Sequence, residues 1–209
     1  MPPDFTSETL AHARGLARIC GVDEVGRGPL AGPVTAAAVI LDPDRIPDGL
    51  DDSKRLTARR RMALAEELHV VAEVSVAHAS VDEIETHNIL RAAQLAMIRA
   101  IAGLRAPPCH VLVDGNMVPR GLNHPCETLV GGDARSLSIA AASIVAKVAR
   151  DAIMAQLARE HPGYGWETNA GYGTAQHKAA LLDLGVTPHH RRSFKPIHNI
   201  LYQGAIATD

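Results

Sequence analysis

The sequence predicts an α/β fold, a mixed five-stranded sheet flanked by helices with a small helical appendage at the C-terminal end. Three observations predict it. Five short apolar stretches lie at 16–24, 33–41, 70–79, 109–114 and 126–130. The first two meet in a tight turn, as antiparallel neighbours do, whereas the later ones are reached across helical patterns, as crossovers require. The composition also changes at residue 161, beyond which five of the six aromatics fall: Tyr164, Trp166, Tyr172, Phe194 and Tyr202. The expected division is therefore 1–160 and 161–209.

Taken in order, residues 1–15 read as poorly ordered or loosely helical. Stretches 16–24 and 33–41 form a hairpin, and Asp42 to Asp52 is a loop rich in Pro, Asp and Gly. Thr57 is placed to cap a helix over Arg59 to Leu68. In 70–79, Val70, Ala72, Val74 and Val76 alternate with Val71, Glu73, Ser75 and Ala77, the period of a strand. Val81 to Glu85 is a short helical turn. Asn88 then caps a helix through Leu104, whose apolar residues recur at helical spacing, and Gly103 with Pro107-Pro108 ends it. Cys109–Asp114 and Cys126–Val130 are short buried strands. A long helix follows from Leu137 to Glu160, and Ala140, Ala141, Ala142 and Ala146 let it lie close to the sheet. Pro162-Gly163 stops it, and Thr174 to Leu184 is a helix of the appendage.

The chain has 209 residues and 46% apolar content, enough for a sizeable core, but only 3% aromatics. That core has to be built from Ala, Val, Leu and Ile. No apolar run approaches the length of a membrane span, and no basic start followed by an apolar block marks a secretory signal. Three cysteines, placed in strands, fit reduced thiols in a cytoplasmic protein. A net charge of -2 says little about partners, but its distribution says more. Lys54, Arg55, Arg59, Arg60 and Arg61 form one basic cluster, and His189-His190-Arg191-Arg192-Ser193-Phe194-Lys195 a second, in which His189 and His190 are expected to face phosphate or solvent and not a metal. Two basic patches beside a separate acidic spot suit a nuclease better than a wholly basic binder. The competing view is a solvated helix face and a charged tail.

Gly21-Val22-Asp23-Glu24-Val25-Gly26-Arg27-Gly28-Pro29-Leu30-Ala31-Gly32-Pro33 organises the rest. Gly26-Arg27-Gly28 begins like a dinucleotide fingerprint, which requires a helix right after the glycines. Pro29 and Gly32-Pro33 forbid that helix, so the stretch is a strand–turn–strand. Asp23 and Glu24 end the first strand, and Asp114 and Asp133 follow the ends of two others. Strand ends gather on one edge of an α/β sheet. Four carboxylates there suit Mg²⁺ or Mn²⁺, and two such ions about 3.5–4 Å apart support phosphodiester cleavage. One geometric condition stands: neighbours in a regular strand point to opposite faces, so Asp23 and Glu24 share a site only if the chain twists or bulges. Cys109, His110, His124 and Cys126 match no common zinc spacing.

These residues resemble the ribonuclease HII family. The resemblance rests on Gly21–Pro33, on Asp52-Ser53-Lys54-Arg55-Leu56 and on Val113-Asp114-Gly115-Asn116. It continues through Gly132-Asp133-Ala134, Ala141 to Asp151, and Gly171-Tyr172-Gly173-Thr174 with His177. It spans roughly residues 18–195 in order. It implies a ribonuclease H-like fold and two-metal cleavage of the RNA strand in RNA–DNA hybrids. It also implies cutting 5′ to a single ribonucleotide embedded in duplex DNA, by a monomer. By this resemblance Asp23, Glu24, Asp114 and Asp133 match the metal-binding carboxylates. Gly26, Arg27 and Gly28 match the motif that senses the ribose 2′-hydroxyl, and Tyr172 the tyrosine packing on the sugar beside the scissile link. Lys54 matches a phosphate contact. Thr174, at an expected helix N-cap, and His177, one turn on, are placed to hold a phosphate. Gly131 departs from the family, which commonly has Lys there. The rival expectations are a non-catalytic hybrid-binding module and a nuclease acting on DNA alone, which has no use for a hydroxyl sensor.

Overall fold

Five strands form one sheet in the order β3-β2-β1-β4-β5 in the computed structural model, which describes residues 2–203. They are β1 (Ile19–Val25), β2 (Val34–Ile40), β3 (Glu73–Ala79), β4 (His110–Asp114) and β5 (Cys126–Leu129). β2 runs antiparallel to both β1 and β3, while β4 is parallel to both β1 and β5. The sheet is therefore mixed. β1, β4 and β5 end on the same edge, and the loops carrying the acidic residues leave from it.

Helices cover both faces. α3 (Val81–His87) and α4 (Ile89–Ala102) cross over from β3 to β4. Asn88 ends the first and caps the second, its side chain accepting from the Arg91 amide. The stripe from Ala93 to Ile101 packs on Cys20, Val22, Val111 and Val113, giving one core layer. α2 (Ala58–Val71) and α5 (Leu137–Glu160) cover the other face, where Leu64, Leu68, Ile144 and Val145 meet Ala37 and Val39. α2 begins at Thr57, whose hydroxyl accepts from the Arg60 amide. It runs longer than its sequence suggests and takes Val70 and Val71 with it. The alternation from Val70 has nothing to pair with: the ladder closes at Ile40 opposite Glu73, and Val70 points to solvent.

α5 keeps both of its expected ends. Ser136 caps it, and β1 approaches it so closely that a Cβ on Gly21 would lie 2.2 Å from the Ser138 carbonyl carbon. The first residues are better organised than their composition suggests. α1 (Thr6–Ala13) sends Glu8 into the protein, where it accepts from the Ser136 hydroxyl at 2.6 Å and from the Ser138 amide at 2.9 Å. A carboxylate at a helix N-terminus offsets the unpaired amides there, and this contact holds the segment down.

The C-terminal part comprises α6 (Trp166–Asn169), α7 (Ala175–Leu184) and α8 (Lys195–Gln203). Residues 204–209 of the expected appendage, and Met1, lie outside the described residues. Tyr164, Trp166, Leu181 and Ile197 pack with Met154 and Ala158 of α5 and with Leu30 and Ala31. Among the described residues no helix is long and apolar enough to cross a membrane.

Gly21→Ala forces a methyl group into the backbone of α5. It is expected to cost about 3 kcal/mol of stability, at the upper end of overpacking penalties, read as a lowered urea midpoint. A midpoint within error of the wild type would mean that this approach is not tight.

Candidate active site

The register of the sheet places the acidic residues. Val22 pairs with Val113, the last pair of that ladder, so Asp23 and Asp114 are the next residues on adjacent parallel strands; Asp114 ends β4, whereas β1 runs on to Val25 instead of ending at the acids. β1 keeps a regular ladder through Asp23↔Ala37, Glu24↔Ala36 and Val25↔Thr35, with no bulge. Asp23 and Glu24 therefore do point to opposite faces. Asp23 shares the α5 side with Gly21, and the Ser143 hydroxyl of α5 favours its charged form. Glu24 faces α4 and lines a 240 Å³ crevice with Arg27, Asp114, Leu90, Gln94 and Met97. Asp114, at the strand tip, lies between the two and acts electrostatically on both. Its Oδ1 accepts from the Gly132 amide at 2.7 Å, which anchors the 3₁₀ turn Gly132–Ala134 carrying Asp133.

The charge balance of this edge is unfavourable. Burial pushes the Asp23 carboxyl well up, and Glu24, Asp114 and Asp133 push it further, against Ser143. Burial also raises Glu24, opposed by Arg27, whose guanidinium lies 3.2 Å from its Oε1. Asp133 is raised by burial and by Asp52, opposed by Lys54. Lys54 is 78% exposed and reaches Asp133 Oδ2 at 3.3 Å. Both cationic side chains are largely solvated, and exposed pairs of this kind contribute about 1 kcal/mol at most. The four carboxylates do not collapse together: among the described residues, no three of them bring oxygens within 4.8 Å of one another. Their donor set is oxygen alone, and the buried Asp23 lies among like charges. That set fits a hard divalent cation, whose waters complete its shell.

The turn after β1 is held from behind. Arg191 is fully buried, and its guanidinium donates to the carbonyls of Gly26 (2.6 Å), Arg27 (3.0 Å), Pro29 (2.8 Å), Gly32 (2.9 Å) and Pro33 (3.2 Å). Arg150 of α5, also fully buried, donates to Ala31, Pro33 and Ala170. Gly26 is required here, with φ 94° and a Cβ position 2.1 Å from Arg150 Nε. Arg27 and Gly28 stay exposed, and among the described residues their amides meet no acceptor. Tyr172 stands beside them, 45% exposed, its ring 3.5 Å from where a Cβ on Gly28 would sit.

Thr174 is exposed and caps α7, accepting from the His177 amide. His177 itself is not a phosphate contact, because the structure buries it completely. Its Nδ1 donates to the Tyr172 carbonyl at 2.9 Å. Its Nε2 accepts from Trp166 Nε1 at 3.1 Å and from His190 Nε2 at 3.0 Å. His190 Nδ1 in turn accepts from the Thr187 amide. These partners assign one neutral tautomer to each ring. His190, expected to face phosphate or solvent, is interior, and so is Arg191 beside it: each has neutral partners that only a buried position supplies. Sequence reasoning gave no site role to Ser143, read as helix packing, or to Arg150 and Arg191. A lone polar residue on an alanine-rich helix face, as at Ser143 and Arg150, was the available signal.

With this geometry in place, the comparisons with known proteins decide the family. The family model described as Ribonuclease HII matches residues 20–197. The chain belongs to the ribonuclease HII family. Ribonuclease HII of Cereibacter sphaeroides is 68% identical over 203 residues, covering 97% of this chain and 96% of its own length. That of Paracoccus denitrificans is 65% identical over 206 residues, covering 99% and 98%. The solved ribonuclease H2 of Pyrococcus horikoshii OT3 superposes with a TM-score of 0.77 at 24% identity, covering 92% of this chain and 100% of that one, which shows the shared fold. The protein is thus a ribonuclease H, a hydrolase. Gly131, where Lys is common in ribonuclease HII, takes a left-handed conformation (φ 63°) with open space around it.

Two outcomes follow from this site. Asp23→Asn removes a buried charge from like-charged neighbours while its side-chain oxygen still accepts from the Glu24 amide. Without divalent cations it is expected to raise the melting midpoint by roughly 2–4 °C, the equivalent of about 1 kcal/mol. A lowered midpoint would contradict the unfavourable charge balance. Burial and the neighbouring His177 push His190 down to about 4, against an unfolded value of about 6.5. Between these values the unfolded chain binds more protons, so stability falls as pH falls through this window. Melting midpoints across it are expected to decline more steeply for the wild type than for His190→Gln. Equal slopes would remove His190 from the acid response.

Proposed function

We propose that this chain is a divalent-metal-dependent endonuclease that cuts the RNA strand of RNA–DNA hybrids and the 5′ side of single ribonucleotides embedded in duplex DNA. The products are a 3′-hydroxyl and a 5′-phosphate, as ribonucleotide removal requires. The observation that carries this is one juxtaposition. The outward-facing Arg27 and Gly28 amides and the Tyr172 ring lie next to a four-carboxylate sheet edge.

The recognition side follows from the turn. Its carbonyls are drawn inward by Arg191 and Arg150, which leaves amide donors facing out. A 2′-hydroxyl is the group that distinguishes RNA from DNA at one nucleotide, and its oxygen accepts from such amides. Tyr172 offers a flat apolar face for the adjoining sugar, and the His177 bond to its carbonyl fixes where that face stands. Lys54 and the exposed N-terminus of α7 at Thr174 provide positive potential for the flanking phosphates.

The chemical side follows from the acids. Asp23, Glu24, Asp114 and Asp133 would hold Mg²⁺ or Mn²⁺. When bound, two such ions supply an activated water and stabilise the charge on the scissile phosphate and the leaving oxygen. Ser143 favours the charged form of Asp23, the Gly132 amide orients Asp114, and Arg27 restrains Glu24. The hydroxyl sensor sits on the same short stretch as Asp23 and Glu24, so binding the ribose would present its 5′ phosphate to the carboxylate edge.

The test is a labelled DNA duplex with one ribonucleotide, beside a full RNA–DNA hybrid and an all-DNA duplex, with Mg²⁺ or Mn²⁺. Cutting of the first two is expected, with Asp114→Asn slowed by more than about 100-fold. Intact substrates would defeat the proposal, and binding without products would favour a non-catalytic hybrid-binding module. Gly28→Ala places a methyl in ordinary contact with Tyr172. It is expected to leave the melting midpoint unchanged and to lower kcat/KM on the single-ribonucleotide duplex by at least about tenfold, a loss of about 1.4 kcal/mol in the transition state. Unchanged kcat/KM would place hydroxyl sensing elsewhere.

A further inference from the structure

The C-terminal end of α5 meets the loop after α7 at three side chains that the proposed cleavage does not use. Glu160 is the last residue of α5, His161 is its C-cap, and His189 comes from the loop that also carries His190 and Arg191. One carboxylate oxygen and one nitrogen from each ring all lie within 4.8 Å of one another. Among the described residues this is the only group of three His, Cys, Asp or Glu side chains that converges so closely. The two rings sit 5.0 Å apart at 61°, both half-buried.

Their hydrogen bonding sets them apart from the pair next to them. Every ring nitrogen of His177 and His190 has a partner. Among the described residues, the ring nitrogens of His161 and His189 have none. Glu160 uses one oxygen to accept from Gln156. The last carbonyls of α5 add partial negative charge at the same place. Both rings also lie beside Trp166, and packing alone would explain that, but it does not bring the carboxylate in.

We propose that Glu160, His161 and His189 form a second cation site of the zinc class, distinct from the carboxylate edge. Two imidazoles and one carboxylate are a common protein set for Zn²⁺, with water as the fourth ligand, at about 2.0–2.2 Å. Imidazole donors also disfavour Mg²⁺, so the two sites differ in the chemistry they accept. The His189 carbonyl accepts from the Gly32 amide at 2.9 Å. An ion here would therefore tie the end of α5 to the loop that holds the recognition turn.

The experiment is a calorimetric titration of the full chain with Zn²⁺ in excess Mg²⁺, with melting midpoints at each step. One Zn²⁺ per chain and a raised midpoint are expected. His161→Ala and His189→Ala are expected to weaken Zn²⁺ binding at least about tenfold, while Asp114→Asn retains it. Glu160→Gln, at an exposed position, serves as the third variant should either histidine change disturb folding. Absence of saturable binding would overturn the proposal. So would binding that survives all three substitutions, or that disappears in Asp114→Asn, since the ion would then sit elsewhere. None of these results depends on which nucleic acid is cut.

Discussion

A buried guanidinium with no carboxylate partner is normally costly, and this protein places two of them behind one turn. Arg191 and Arg150 bring positive charge into the interior: Arg191 is pushed down to about 9, by burial first and then by Arg150, and burial lowers Arg150 as well. Backbone carbonyls offset that cost. Between them the two side chains take the carbonyls of Gly26, Arg27, Pro29, Ala31, Gly32 and Pro33. Each would otherwise be a buried acceptor without a donor, at about 1–3 kcal/mol apiece. The composition of the turn suits this arrangement. Pro29 and Pro33 carry no amide to satisfy, and the Leu30 and Gly32 amides donate to Gly171 and His189. The Arg27 and Gly28 amides, on the exposed part of the turn, meet no acceptor among the described residues. A donor surface for a ligand is thus created by acceptors being consumed on the opposite side.

This dependence ties the segment after residue 160 to the first two strands. Arg191, His189 and Gly171 belong to the segment after residue 160, yet they fix the loop between the first two strands. Leu30, Ala31 and Met154 share one apolar cluster with Tyr164 and Trp166. The polar core of that segment has the same effect. Trp166, His177 and His190 form one hydrogen-bonded row, and its end at the Tyr172 carbonyl positions the ring that stands against Gly28. The long helix links the two ends of the molecule. Its alanine-rich first half lies against β1, where Gly21 admits it, and its second half carries Arg150 and Met154 to the turn.

Much of this was legible because it is written in local signals. Pro162-Gly163 follows the end of α5 as expected, Asn88 and Thr57 cap the helices they were expected to cap, and Asp114 is the last residue of its strand. Three features were not legible, for different reasons. Val70 and Val71 alternate as a strand would, but no neighbour extends far enough to pair with them, so the helix keeps them. His177, His190 and Arg191 lie among charged residues and read as surface. Their partners are backbone groups and other rings, for Arg191 more than 150 residues away, and a backbone group has no identity in the sequence. Glu8 looked like part of a loose end because its partners, Ser136 and Ser138, lie at the start of a distant helix.

The relation between Asp23 and Glu24 shows most clearly what strand geometry does to the site. Adjacent residues in an unbroken ladder cannot face the same way, and no bulge relieves this. The acids are therefore arranged around the edge of the sheet instead of on one face. Asp23 lies on the α5 side with Ser143, Glu24 on the α4 side with Arg27, and Asp114 at the tip between them. An edge has two sides, and in the proposed two-ion chemistry Asp114 would be the residue that cations on both sides could draw on. The same backbone alternation that separates the two neighbours is what would allow more than one ion. It leaves the strand tip as the point where both would meet a phosphate.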